Sequence, residues 1–184
     1  MATKVISIDG EEPIEFQDAK DYLVVEHKKH DRFIEFLIRA SRDFVEREID
    51  QDLIQKTRAL YLVSFPASIE MFDGPVQSIT SIVYKDSNGQ QQTLDANTYT
   101  LDNVSQPSVL HFDSRPSTCS CPNNIVITYV SGLPQDDVPE SAIQMMYLTL
   151  GTWYEEKQND AMGNLKELSL GTSRLRELLK NITV

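Results

Sequence analysis

The period of the apolar residues changes twice along this chain, and that change restricts the available folds more than any other feature. From Asp31 to Ile49 the residues Phe33, Ile34, Leu37, Ile38, Phe44, Val45 and Ile49 recur at spacings of three and four, the stripe of an amphipathic helix. From Leu53 to Ser131 the period becomes two, and Val, Ile, Thr and Tyr replace the helix formers, which predicts strands. Helical spacing returns after Pro139. A β segment between helical segments predicts an α+β fold: a bundle of about three to four helices, with the strands forming a separate small sheet or sandwich. The expected boundaries are 13–50 and 139–184 for the helical domain and 51–138 for the β insertion.

Within this frame, residues 1–12 show no pattern, and Pro13 to Val25 reads as a short helix with Phe16, Ala19 and Leu23 on one side. Asp31 is the expected N-cap of the second helix. The opposite face of that helix carries Arg32, Glu35, Arg39, Arg42, Asp43, Glu46 and Arg47, a pattern that suits either solvent or a subunit contact of alternating charge. Arg39, Arg42 and Glu46 are the candidate subunit contacts. Strands are expected at Thr57 to Phe65, Ile79 to Lys85, Gln91 to Leu94, Tyr99 to Leu101, Val109 to Phe112 and Ile125 to Val130. Asn88-Gly89 should form a tight hairpin turn with positive φ at both positions, and Asp113 to Asn124 should be a long loop.

Asp137-Val138-Pro139-Glu140 has the composition of a helix start, with Asp137 as N-cap. Ala142, Ile143, Met146, Tyr147, Leu150, Trp153 and Tyr154 then form a buried stripe, and the helix is expected to dissolve in the polar Glu155 to Asp160. Gly163 to Gly171 reads as a linker. Beyond it, Leu175, Leu178, Leu179 and Ile182 lie beside Arg174, Arg176 and Lys180 in a short final helix, which suits a detachable docking segment.

Seventeen basic residues against 28 acidic ones give a formal charge of −11. Phosphate contacts need clustered Lys and Arg, yet between Asp50 and Glu140 the only Lys and Arg are Lys56, Arg58, Lys85 and Arg115. Tight binding of DNA is therefore not expected. A wall past which DNA slides without sticking would likewise avoid positive charge. No apolar run approaches the roughly 20 residues of a membrane span, and residues 1–12 lack the order of a signal peptide, so a soluble protein made in the cytosol is expected.

The sequence carries few motifs that could do chemistry. Scattered glycines build neither a P-loop nor a dinucleotide fingerprint. His27 and His30 stand three apart beside Glu26 and Asp31, but zinc needs three or four converging ligands, and the only other histidine is His111. Cys119 and Cys121 are too close in sequence for an unstrained bridge and are expected as free loop thiols. There is no nucleophile elbow. Asp86-Ser87-Asn88-Gly89 lacks the later ligands of a calcium loop. No cofactor and no catalytic residue are expected.

The order of these features resembles the head-tail connector (adaptor) family of long-tailed double-stranded DNA bacteriophages. The resemblance rests on Pro13 to Leu23 with Ala19-Lys20, on Asp31, Ile34, Leu37, Ile38, Ala40, Arg42 and Phe44-Val45-Glu46, and on Leu53 and Gln55. It continues through Phe65-Pro66, Pro75-Val76-Gln77-Ser78-Ile79, Val83-Tyr84, Asp86, Gly89 and Tyr129 to Gly132. Pro139, Ala142-Ile143, Trp153-Tyr154-Glu155, Leu168-Ser169-Leu170-Gly171 and Leu178-Leu179 complete it. Glu15 stands where the family usually has Thr or Ser, and Lys157 where it has Arg.

The resemblance implies a virion protein without catalytic activity: a ring of about twelve identical subunits, closed by heterologous contacts, under the portal at the head-tail junction. Such a ring extends the DNA channel, lets genomic DNA pass without specific binding, and gives the next head-completion or tail protein a platform. The implied partners are further copies of the chain, the portal through the tail residues Leu175, Leu178, Leu179 and Ile182, and that next protein. A tail-terminator or tail-completion protein is the alternative within the same class. A small hydrolase or lectin-like module built on the β region is the alternative outside it.

Overall fold

The computed structural model describes residues 2–160. The fold is α+β, with three helices and two antiparallel sheets. The elements run β1 (Ala2–Ile8), α1 (Phe16–Tyr22), α2 (Asp31–Ile49), β2 (Lys56–Leu62), β3 (Ser68–Met71), β4 (Val76–Lys85), β5 (Gln91–Thr93), β6 (Tyr99–Asp102), β7 (Ser108–Phe112), β8 (Ile125–Ser131) and α3 (Glu140–Asp160). Short 3-10 turns occupy Lys28–His30, Ala96–Thr98 and Gln135–Asp137. The described residues divide into two compact units: 2–10 with 54–134, and 11–53 with 135–160.

In the β unit, a five-stranded sheet in the order β1-β2-β8-β4-β5 accompanies a three-stranded sheet in the order β3-β7-β6. β8 is central, and its alternation sends Ile125, Ile127 and Tyr129 to the core. Leu60, Leu62 and Ile82 join them from β2 and β4, while Ile69, Met71, Leu110 and Phe112 come from the smaller sheet. Two sheets sharing one apolar layer make a small sandwich. Two strands carry no expectation from the sequence. In Ser68–Met71 only Ile69 and Met71 turn inward, and four residues are too few for a period to stand out. Ala2–Ile8 is an edge strand with most residues exposed, so no buried stripe marks it. β2 stops at Leu62, short of Phe65, whose ring instead packs edge-on against Tyr84 and Phe112.

The hairpin turn also differs from expectation. Gly89 has φ +77°, but Asn88 is not in the left-handed region. Gly89 N–H donates to the Asp86 carbonyl and Asp86 N–H to the Gln90 carbonyl, each at 2.9 Å. The turn is thus a three-residue loop closed by a left-handed glycine, which requires one positive φ and not two. The Asp86 carboxylate accepts from the N–H groups of Asn88 and Gln90. Those bonds, the Gln90 bond foremost, hold it below the ordinary aspartate range.

The expected free thiols are instead a disulfide between Cys119 and Cys121. Their Cα atoms lie 5.4 Å apart, inside the usual range for a bridge. A fully extended chain would separate positions i and i+2 by about 7 Å. The bend in this loop therefore brings the two residues within bridging distance, which the spacing alone does not reveal.

In the helical unit, α1 is shorter than Pro13 to Val25. It ends because Val24 adopts φ +55° and the N–H of Val25 turns back to the Lys20 carbonyl. α2 spans the expected residues, but His30, not Asp31, is its N-cap. The Asp31 carboxylate is taken by Lys20 Nζ at 2.9 Å. Asp137 likewise lies in a 3-10 turn and is no N-cap; α3 starts after Pro139, whose carbonyl accepts from Ala142 and Ile143. α3 continues through Glu155 to Asp160, where Glu, Lys and Gln are good helix formers. Its buried stripe is Ala142, Met145, Met146, Thr149, Leu150 and Tyr154. It faces Ile34, Leu37, Ile38 and Val45 of α2, and Phe44 meets Trp153 at a centroid distance of 5.7 Å. The linker at Gly163 to Gly171 and the final helix lie outside the described residues.

Candidate functional site

The chain passes between its units three times, after Gly10, Leu53 and Pro134. In the β unit all three crossings leave from one end of three neighbouring strands: Ile8 ends β1 opposite Lys56, and Lys56 begins β2 opposite Ser131, the last residue of β8. The packing there is close. Asp9 and Gly10 both donate to the Gln55 carbonyl at 2.9 Å. Gly132 has φ +98°, and a Cβ on it would overlap the Ile54 carbonyl, so both conformation and space demand glycine. Gln77 reaches across to donate to the Gly132 carbonyl at 2.7 Å and accepts from Gln55 at 3.1 Å.

In the helical unit, two crossings are held by one ion network on α2. Arg42 donates through Nε to Glu12 at 2.9 Å and through Nη1 to Asp43 and Glu46 at 2.8 Å each. The other Glu46 oxygen accepts from the Leu53 N–H at 2.9 Å. Glu12 lies just after the first crossing and Leu53 just before the second. Burial alone would lower the Arg42 pKa, but Glu46 and then Glu12 and Asp43 outweigh it and raise the value.

This geometry corrects the solvated face expected on α2 at two of its seven charged positions, Arg42 and Glu46, while Arg32, Glu35, Arg39, Asp43 and Arg47 are exposed as expected. Arg42 and Glu46 are 2% and 7% exposed and belong to the interior of their unit, whereas Arg39 is exposed. Spacing alone placed them outward because charged residues seldom lie inside unless paired; here the partners are Glu12 and the Leu53 amide, remote in sequence. The proposed docking residues Leu175, Leu178, Leu179 and Ile182 lie outside the described residues.

His27 and His30 do approach each other, with rings 4.8 Å apart, but His30 Nδ1 is engaged by the Tyr154 hydroxyl at 2.7 Å. Among the described residues, no three His, Cys, Asp or Glu side chains converge as a metal site would require. None of the described helices is long and apolar enough to cross a membrane.

One surface has no counterpart in the sequence expectations. Among the described residues β1 bonds only to β2, and it exposes Val5, Ile6 and Ile8. The available signal was composition: Thr3, Val5, Ile6 and Ile8 are β-branched, the residues that suit a pleated surface.

No protein-family model matches the chain, and no curated protein does. Solved structures do match. A chain in the neck of an empty gene transfer agent particle, computed with C6 symmetry, is similar with a TM-score of 0.77 and 16% identity, over 98% of this chain and 95% of that one. A chain in the neck of the native particle, computed with C12 symmetry, gives a TM-score of 0.74 at 15% identity with the same coverage. A chain in the virion of the native particle gives 0.71 at 15% identity, again over 98% and 95%. At this identity the likeness is one of fold, and it spans both units: this chain is built like a neck protein of a gene transfer agent particle.

Proposed function

We propose that the chain is a structural subunit of a particle neck: a head-tail connector that forms a ring under the portal, extends the DNA channel and carries the next head-completion or tail protein. The carrying observation is the end-to-end likeness to neck chains, with a TM-score of 0.77 over 98% of this chain. Matches in necks computed with C6 and C12 symmetry support several copies around one axis. A formal charge of −11 suits a channel wall past which DNA moves without adhering. In this reading 13–50 and 139–184 act as the connector domain with 51–138 as its β insertion. Leu175, Leu178, Leu179 and Ile182 dock on the portal, and Arg39 is the exposed member of the charged set available to a neighbouring subunit. Buried Arg42 and Glu46 keep their helix in shape for that contact.

The test is a binding comparison with particles of the chain's own system. Tagged full-length protein is mixed separately with purified portal and purified tail tube, and assembled particles are imaged by electron cryomicroscopy. Binding to portal and density in the neck are expected. Binding to tail tube alone replaces the connector with a tail terminator, and absence from particles rejects both.

A further inference from the structure

We propose that β1 is a docking edge for a second copy of this chain, adding to the open far edge of the five-stranded sheet in that copy. β1 has seven residues and, among the described residues, one neighbouring strand, so within that part of the chain the hydrogen-bonding groups along its outer side have no strand partner. Proteins that keep such an edge free block it with proline, charge, a β-bulge or a short strand, of which β1 has a single charge and a single irregularity. Ala2–Ile8 contains no proline and one charge, Lys4, and exposes Val5, Ile6 and Ile8 at 38%, 57% and 55%. Its single irregularity falls between Val5 and Ser7. An apolar, nearly unguarded edge of this length is built to be covered.

The same sheet supplies a matching surface at its other side. Among the described residues β5 pairs only with Val83, Tyr84 and Lys85 of the ten-residue β4. Among the described residues, Ser78 to Ser81 therefore has β8 on one side and no strand on the other. Charge selects a copy of the chain as the occupant and this edge as its seat. Two copies at −11 repel, so their contact belongs where negative charge is absent. Ala2–Ile8 carries one positive charge, and neither Val76 to Tyr84 nor Gln91–Thr93 carries any charge. Because β1 meets a different edge, the contact is heterologous and can close into a ring. This deepens the ring reading above and rests on it.

Full-length protein carrying benzoylphenylalanine at position 6 is irradiated in solution over rising concentration and in assembled necks, and adducts are mapped by mass spectrometry. An adduct joining residue 6 to residues 76–93 of another copy is expected. Adducts elsewhere on the chain, adducts only to a different protein, or none in assembled necks overturn the assignment. In parallel, Ile6→Lys/Ile8→Lys should weaken self-association about tenfold or more, with an unchanged melting midpoint; unchanged self-association at that midpoint rejects the edge. Failure of the edge leaves portal binding intact, whereas failure of the connector function appears in unmodified protein as loss of portal binding.

Discussion

Arg42 and Glu46 form an i,i+4 ion pair at 2.8 Å with only 2% and 7% of their side chains exposed. On a surface helix such a pair contributes a few tenths of a kcal/mol. Here removal of Arg42 leaves the buried Glu46 carboxylate without its cation and takes the same partner from Glu12, while the Leu53 N–H keeps its bond to Glu46. Arg42→Ala is therefore expected to destabilise the helical unit by about 3–5 kcal/mol, while Arg42→Met/Glu46→Leu should lose less because no buried charge of the pair is left unmatched. Urea denaturation of the three proteins decides it. A double variant less stable than the single one would remove the stranded-charge explanation.

Val24 is a β-branched residue with φ +55° and 86% exposure, immediately after the end of α1. Glycine is the usual occupant of a left-handed position after a helix. Val24→Gly should relieve about 1 kcal/mol of strain and raise the melting midpoint by about 2–4 °C. A midpoint that stays put or falls means that the Val24 side chain contributes contacts that its exposure hides.

Gly89, at φ +77°, has nothing within 4 Å of the position of a Cβ. Any penalty of Gly89→Val is therefore backbone strain, about 1–2 kcal/mol, while Asn88→Ala should change stability by less than about 0.5 kcal/mol because position 88 needs no positive φ. Comparing the two melting curves separates the positions. Equal losses would restore a turn with two left-handed residues.

Deleting the chain from Ser173 onward removes Leu175, Leu178, Leu179 and Ile182. Burying such side chains contributes about 25 cal/mol per Å2 of apolar surface, several kcal/mol per subunit before ordering costs. The truncated protein should stay folded by circular dichroism and fail to join portal-containing capsids. Completed heads from truncated protein would end the docking role, and an unfolded product would make the segment part of the core.

Period alone made the α+β class and most element positions legible. The stripe from Phe33 to Ile49 and the alternation in Ile125 to Val130 arise because one face of each element is buried, and burial repeats with the geometry of the element. β1 escaped because an edge strand buries neither face, so nothing enforces a pattern upon it. The disulfide between Cys119 and Cys121 escaped because a bend in the loop, invisible to spacing, sets their separation. Arg42 escaped for a different reason. A charge is expected outside unless its partners are known, and those partners, Glu12 and through Glu46 the Leu53 amide, come from segments 30 residues before and 11 after it. Local sequence determined which segments became helices and strands; the tertiary structure decided which charges are buried and which sheet edge stays open, because both depend on what distant segments bring alongside.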